Sequence, residues 1–361
     1  MILKKITLNN FRNIKKAEII PHNKMNVIFG SNAQGKTSIL EALWCFTGAK
    51  SFRGAKDTEM IYFGEEKSKN VLEFFDDQRE QTCEIIIEKT RKAVLNGVEY
   101  DSASKIAGKI YSIVFSPNDL NIIKDGPIFR RKFLDTAIFQ LYPAYIGFSK
   151  RYLRALEQRN KILKDLKYNP LNEEFIDAFE KELSICGAAI IGYRNKYISL
   201  LNKYIKEIYK GISGGKEEIL VEYETLASEN EQEYLNALKR NRNEDMQTLS
   251  TSVGPHRDDI KILINGISAR NFGSQGQKRS AALSLKLAES AVIFEVTGKN
   301  PIALLDDVMS ELDVERQNYI LNHIKEWQVF ITCCDPSNIK GLKEGKIFEI
   351  ENGNIKSVKD V

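Results

Sequence analysis

The sequence predicts an α/β fold in which a mixed-sheet lobe is interrupted by an inserted helical second lobe. Three observations carry this. An apolar run, MNVIF at 25–29, opens into a glycine-bracketed loop and then into an amphipathic stretch. A second apolar run, IALL at 302–305, ends in paired aspartates. Between them, from about residue 128 to 210, apolar residues recur at helical spacing.

The elements follow in order. Ile6 and Leu8 alternate with polar residues as in a half-buried strand, and Glu18-Ile19-Ile20 precedes the 25–29 strand. After the glycine loop, Ile39, Leu40, Leu43 and Phe46 give a helix, with Gly48 placed as a C-cap. Cys83–Glu88 and Val94-Leu95 read as strands, Asn96-Gly97 as a hairpin turn, and 111–115 (YSIVF) as a buried strand. Phe129, Phe133, Ala137 and Leu141 open a block of three or four helices, with periodic runs at 145–166 and 172–209. Residues 211–250 are polar and Glu-rich, giving a strand with exposed loops. A strand at 260–264 turns at Asn265-Gly266, and a helix covers about 275–296. The 302–305 strand, another helix, a strand at 328–332 and a hairpin turning at Asn352-Gly353 complete the chain. The expected organisation is one lobe from 1–127 and 297–361 and a helical lobe over 128–296.

Composition narrows the function. The 361 residues hold 53 Lys+Arg against 49 Asp+Glu, a net charge of +4, with 42% hydrophobic and 28% charged residues. That is globular usage, neither disordered nor fibrous. Five cysteines without a C-x-x-C pair, and only three histidines, argue against a zinc site and for a reducing compartment. The start lacks a secretory apolar run. ICGAAIIGY, the longest apolar stretch near the middle, is about half the ~20 residues of a membrane span. A cytoplasmic protein without a membrane partner is expected.

Gly30-Ser31-Asn32-Ala33-Gln34-Gly35-Lys36-Thr37 satisfies G-x-x-x-x-G-K-[ST], entered by a strand and left by a helix. Glycines let backbone N–H groups close around phosphate oxygens, and the helix N-terminus adds positive potential. Lys36 would reach the β- and γ-phosphates and Thr37 would ligate Mg²⁺. Asp306, at the end of a buried strand, would hold Mg²⁺ or its water. Asp307 would orient or deprotonate the attacking water. The plainer readings are a chance glycine turn and an Asp pair capping the helix near Ser310. No N-K-x-D guanine-reading motif exists, so ATP is preferred over GTP.

A second glycine turn, Asn271 to Arg279, precedes the 275–296 helix. There Ser274, Gly276 and Gln277 offer a hydroxyl, N–H groups and an amide to a phosphate, or form a simple N-cap. This stretch resembles the signature motif of ATP-binding-cassette ATPases, in which the signature of one protomer closes over ATP held by the other. Ser310-Glu311-Leu312-Asp313 resembles the D-loop of that class, and LNNFRNI (8–14) the opening of SMC-like heads. FSPNDL (115–120), GPIFRRKFLD (126–135), TSVGPHRDD (251–259), GSQGQKR (273–279) and LLDDVMSELD (304–313) together resemble the RecF family of bacterial recombination-repair ATPases.

The resemblance implies a P-loop ATPase of ABC/SMC-head type, an ATP-dependent homodimer, and binding of single-stranded and double-stranded (gapped) DNA. It further implies recombinase loading with RecO and RecR type partners, and a link to the SOS response. The sequence departs from cassette ATPases in three places. Asp307 stands where most carry Glu, FSPNDL has no Q-loop glutamine, and Cys333-Cys334-Asp335 replaces a switch histidine. Slow hydrolysis is the implied consequence. The stretch between Lys36 and Ser274 has room only for short helical arms. A transporter-type ATPase subunit and a small-molecule kinase are the alternatives, the first requiring a glutamine loop and the second no signature.

Residues 121–161 hold nine Lys/Arg against three Asp/Glu and seven aromatics, while 216–235 hold seven Glu and one Lys. The two regions nearly cancel in the total. The basic block suits phosphate-backbone contact, with Lys124, Arg130, Arg131, Lys132, Lys150, Arg151 and Arg154 as candidates, and Phe129 and Phe133 as core. The alternative is an ordinary solvated helix face. His256 reads as a turn histidine in preference to a catalytic base.

Overall fold

The computed structural model describes residues 1–76, 78–165, 173–335 and 344–361. The chain forms two compact units. The first contains Met1–Leu120, Glu207–Lys216 and Arg279–Val361, and the second Asn121–Lys206 and Glu217–Lys278.

In the first unit, the strands Ser112–Phe115, Ile302–Asp306, Val329–Cys333, Met25–Phe29 and Gly345–Glu351 lie side by side and parallel, with Asn354–Asp360 antiparallel at the edge. Helices or loops cover both faces of such a sheet, which is why its central strands are largely apolar. All five residues of Ile302–Asp306 and of Val329–Cys333 are buried. The register pairs Asp306 with Thr332 and Cys333 with Phe29, so the carboxyl ends of three strands meet at one edge. A second sheet of the same unit is antiparallel, in the order Ile14–Ile19, Ile2–Phe11, Ser68–Phe75, Glu80–Ile87, Arg91–Leu95, Val98–Tyr100. Its alternating burial matches the period-2 pattern of the sequence. The Asn-Gly turns at 96–97 and 352–353 hold both residues at positive φ, as the tightest hairpins require.

The second unit carries the helices Pro127–Leu141 and Pro143–Asp165, most of Glu173–Ile212, and a small sheet of Ile219–Glu224, Asp259–Ile264 and Ile267–Ser268. The ends of the periodic runs at 166 and 172 lie outside the described residues. Two helices, Glu231–Arg240 and Arg242–Thr248, stand where exposed loops were expected. Asn230 caps the first by accepting from the Gln232 and Glu233 amides, and Tyr234, Ala237 and Leu238 bury one face. The Glu-rich composition hid that short apolar stripe.

The observed grouping differs from the expected 128–296 lobe. Every residue from Ser280 to Ser290 is buried, and Ser280 accepts from Arg316, so Arg279–Thr297 groups with the first unit. The second unit starts earlier, at Asn121, because Arg130 draws in the Ile122 and Asp125 carbonyls. Among the described residues, no helix is long and apolar enough to cross a membrane.

Candidate functional site

The phosphate loop is fixed by three close approaches. Gly30 has φ 153°, and a Cβ there would sit 2.3 Å from the Ile350 carbonyl oxygen, so only glycine fits. Gly35 has φ 108° and stands against the Asn13 amide. That amide donates to the Ala33 carbonyl (3.2 Å) and its oxygen accepts from Ser38 Oγ (2.9 Å). On the other side, the Gly353 N–H donates to the Gln34 carbonyl (2.9 Å), and the Asn352 N–H to the Gln34 side chain. The C-terminal hairpin and the opening strand turn thus brace the loop. Lys36, 8% exposed, folds its Nζ onto the carbonyls of Gly30 (2.6 Å) and Ser31 (3.0 Å), where phosphate oxygens would replace them. Asn32 Oδ1 lies 3.2 Å from the thiol of Cys334.

The second half of the site stands opposite. Thr37 Oγ1 donates to Asp306 Oδ1 (2.8 Å), and Thr332 Oγ1 donates to the same oxygen (2.9 Å). Burial nevertheless holds the Asp306 carboxyl above its usual range, against those two bonds. A desolvated carboxylate beside a hydroxyl is the oxygen donor set that Mg²⁺ prefers. Asp307 is left-handed, φ 54°, and its N–H donates to Thr332 Oγ1 (3.0 Å) while Ser310 Oγ donates to its carbonyl (2.8 Å). The helix Val314–His323 is capped by Asp313, which accepts from the Arg316 amide. The aspartate pair is therefore not a helix cap.

Lys36, Thr37 and Asp307 line one cavity of about 1100 Å³, together with Arg12 and Arg53. Both arginines lean on Glu41, a fully buried carboxylate of the phosphate-loop helix. Arg12 grips it with two 2.8 Å bonds, Arg53 approaches to 3.8 Å, and Ser51 donates to it. Residue-level reading singled out none of these roles, although Arg12 lies within the LNNFRNI stretch. The signal present was one acid on an otherwise apolar helix face.

Ser274, Gly276 and Gln277 belong to the second unit, Ser274 just before the helix Gln275–Thr297 and the other two in its first turn. Ser274 is exposed. Its hydroxyl accepts from the Gln277 N–H (3.2 Å) and its own N–H donates to Gln277 Oε1 (2.7 Å), a reciprocal cap. Gln277 Nε2 also donates to Glu217 (2.6 Å).

The basic block divides. Arg130 is 3% exposed and forks onto Asp259 (2.6 and 2.8 Å), so its charge is buried and paired within the fold. Arg151 is exposed but forked on Glu182 (2.6 and 2.9 Å), so its charge is already matched. Lys132, Lys150 and Arg154 are exposed, whereas Lys124 and Arg131 are half-buried. Phe133 is core, but Phe129 is 38% exposed, contrary to expectation: its position falls on the solvent side of the first helical turn. Tyr145 and Tyr152 are buried, so these aromatics serve packing.

His256 is a turn histidine. Tyr152 OH bonds its Nδ1 (2.6 Å) and its Nε2 faces the Thr251 carbonyl (3.0 Å). Burial first, then the Arg257 and Arg131 charges, depress its pKa to about 4. Because the unfolded chain binds that proton near the ordinary value of 6.5 and the folded chain does not, stability is complete above that value and is lost as pH falls towards 4. Between pH 7 and pH 5 the loss is about 2 kcal/mol. Urea unfolding at the two pH values should show this for the wild type and a smaller loss for His256→Gln; equal losses would contradict it.

Fold and site together define a P-loop ATPase head of the ABC/SMC type. The family described as RecF/RecN/SMC N terminal domain matches residues 2–355. The chain is 37% identical over 362 residues to the DNA replication and repair protein RecF of Agathobacter rectalis, covering 99% of each. A solved structure of the recombination mediator protein RecF with ATP, in the RecFOR pathway, has 36% identity and a TM-score of 0.89, covering 100% of this chain and 97% of that one. The Smc head domain of Pyrococcus furiosus, at 17% identity and TM-score 0.55, shares the fold. The chain belongs to the RecF family.

Proposed function

We propose that this chain is an ATP-dependent DNA-binding protein of replication and recombinational repair. The observation that carries the reading is the cavity lined by Lys36, Thr37 and Asp307, with Asp306 bonded to Thr37. The similarity to a RecF structure with ATP supports it. Residues 30–37 cradle the triphosphate, with Lys36 leaving its carbonyl partners for the β- and γ-phosphates. Thr37 and Asp306 would hold Mg²⁺, which when bound offsets phosphate charge. Asp307 accepts a proton from, or orients, the attacking water. Glu41 holds Arg12 and Arg53 at the cavity, where their charge favours the triphosphate.

Ser274, Gly276 and Gln277 read the γ-phosphate of a second copy, so ATP closes a homodimer and hydrolysis, which is slow, opens it. Lys124, Arg131, Lys132, Lys150 and Arg154 of the helical lobe contact single-stranded or gapped double-stranded DNA through its phosphates. RecO and RecR type partners, recombinase loading, SOS induction and a cytoplasmic location belong to the same reading.

The deciding experiment is binding of labelled duplex and single-stranded DNA across a salt series, with and without ATP. Steep salt dependence that strengthens with ATP is expected. DNA binding that ignores ATP would overturn the reading and favour a transporter-type subunit.

A further inference from the structure

The turn Thr251–Asp259 is held from beneath by three buried arginines, each with its own carboxylate. Arg130 takes Asp259 (2.6 Å), Arg159 takes Glu180 (2.8 Å) and Asp245 (2.7 Å), and Arg194 takes Asp135 (2.7 Å). Arg159 also donates to Thr251 Oγ1 (2.9 Å) and Arg194 to the Pro255 carbonyl (2.8 Å). At Gly254, φ 131°, a Cβ would lie 1.9 Å from the Tyr234 hydroxyl, so backbone and tyrosine meet with no room to spare. The turn is thereby fixed before any ligand arrives.

Two further cations sit on this turn with neutral acceptors only. Arg131 Nη1 donates to the Asp258 carbonyl (2.8 Å). Exposed Arg257 donates to the Thr251 carbonyl (3.2 Å) and to Ser250 Oγ (3.4 Å). Among the described residues no carboxylate is paired with either. Arg131 thus bonds the main chain at Asp258, the residue next to Arg257. The acids nearby are committed: Asp258 accepts from Tyr223, and Asp259 and Asp135 are held by Arg130 and Arg194. The helix that grips the turn through Tyr152 and Asn160 also presents exposed Arg154 and Lys161. Guanidinium groups oriented by main-chain acceptors, with no carboxylate paired to them directly, can take an external anion.

We propose that Arg257 and Arg131 form a preorganised phosphodiester clamp, and that this turn is a fixed point at which the DNA backbone is held. The inference rests on the DNA-binding reading above and adds Arg257, which lies outside the basic block at 121–161. Several cations on and beside one turn suit a run of phosphates better than a single phosphate ion.

The test is fluorescence anisotropy of a labelled DNA duplex across a salt series, for wild type, Arg257→Ala, Arg257→Glu and Arg131→Ala, with Arg151→Ala as the charge-matched comparison. Arg257→Ala should weaken binding about tenfold and lower the log–log salt slope by about one, with Arg257→Glu weaker still and Arg151→Ala close to wild type. Thermal unfolding of each variant accompanies the series, and Arg257→Lys, which keeps a charge but not the fork, should fall between wild type and Ala. Wild-type affinity and slope in Arg257→Glu overturn the clamp while leaving DNA binding standing. Equal weakening by Arg151→Ala overturns it too, since the effect is then one of total charge. Displacement of DNA by inorganic phosphate beyond that by chloride of equal ionic strength makes this a free-phosphate site and also overturns it. Failure of the wild type to bind DNA removes the function proposed above and the clamp with it.

Discussion

Asp307→Asn is expected to slow ATP hydrolysis by about 100-fold or more, with ATP affinity close to that of wild type. Asparagine tolerates the left-handed backbone that Asp307 adopts, and its amide oxygen still accepts from Ser310. The N–H bond to Thr332 belongs to the backbone and survives. What disappears is the carboxylate able to take a proton from water. The phosphate loop, braced by Asn13 and by the C-terminal hairpin, does not touch this side chain. In the proposed cycle, dimer opening follows hydrolysis, so the variant should accumulate as the ATP-bound dimer. Single-turnover hydrolysis and light scattering measure both effects. Normal turnover by the variant would remove Asp307 from the mechanism.

Ser274→Arg is expected to abolish ATP-dependent dimerisation while ATP binding persists. Among the described residues, the exposed Ser274 hydroxyl is engaged within its own chain only by the Gln277 backbone N–H. Loss of that cap costs about 1 kcal/mol, too little to unfold a domain of ordinary stability. A long cation in its place would fill the space that a second copy's γ-phosphate needs. Light scattering with and without ATP, alongside nucleotide binding, separates the two outcomes. Dimerisation that matches the wild type would show that Ser274 is an N-cap and nothing more.

The sheet was largely legible because its strands are buried on both faces. Residues 302–305 and 329–331 read as continuous apolar runs, whose shortness between turn signals favours strand over helix. The phosphate loop was legible because its glycines answer to backbone geometry: Gly30 at Ile350 admits no side chain. Charge was the harder signal. Arg130 and Arg131 are adjacent letters, yet one is buried on Asp259 and the other reaches the rim of a turn. Their separation follows from helix phase and from an acid more than a hundred residues away, neither of which a local charge count contains. Glu41 was overlooked for the converse reason, since its partners Arg12 and Arg53 come from opposite sides in sequence. The helices at 231–248 were lost beneath their solvent-facing glutamates, with Tyr234, Ala237 and Leu238 too few to dominate the window.

The strand Met25–Phe29, which feeds the phosphate loop, is flanked by Val329–Cys333 and Gly345–Glu351, both from the far end of the sequence. Pairings of such long separation are slow to close, because loop entropy is lost before contacts form. During synthesis the emerging phosphate-loop segment therefore waits, with neither neighbour, until residues 329–353 have left the ribosome. The oxygen of Ile350 and the amide of Gly353, which shape the cradle, arrive last of all. Competence to hold a triphosphate therefore comes only after residues 329–353 are made: an early stretch of the message encodes the pocket, and a much later one closes it.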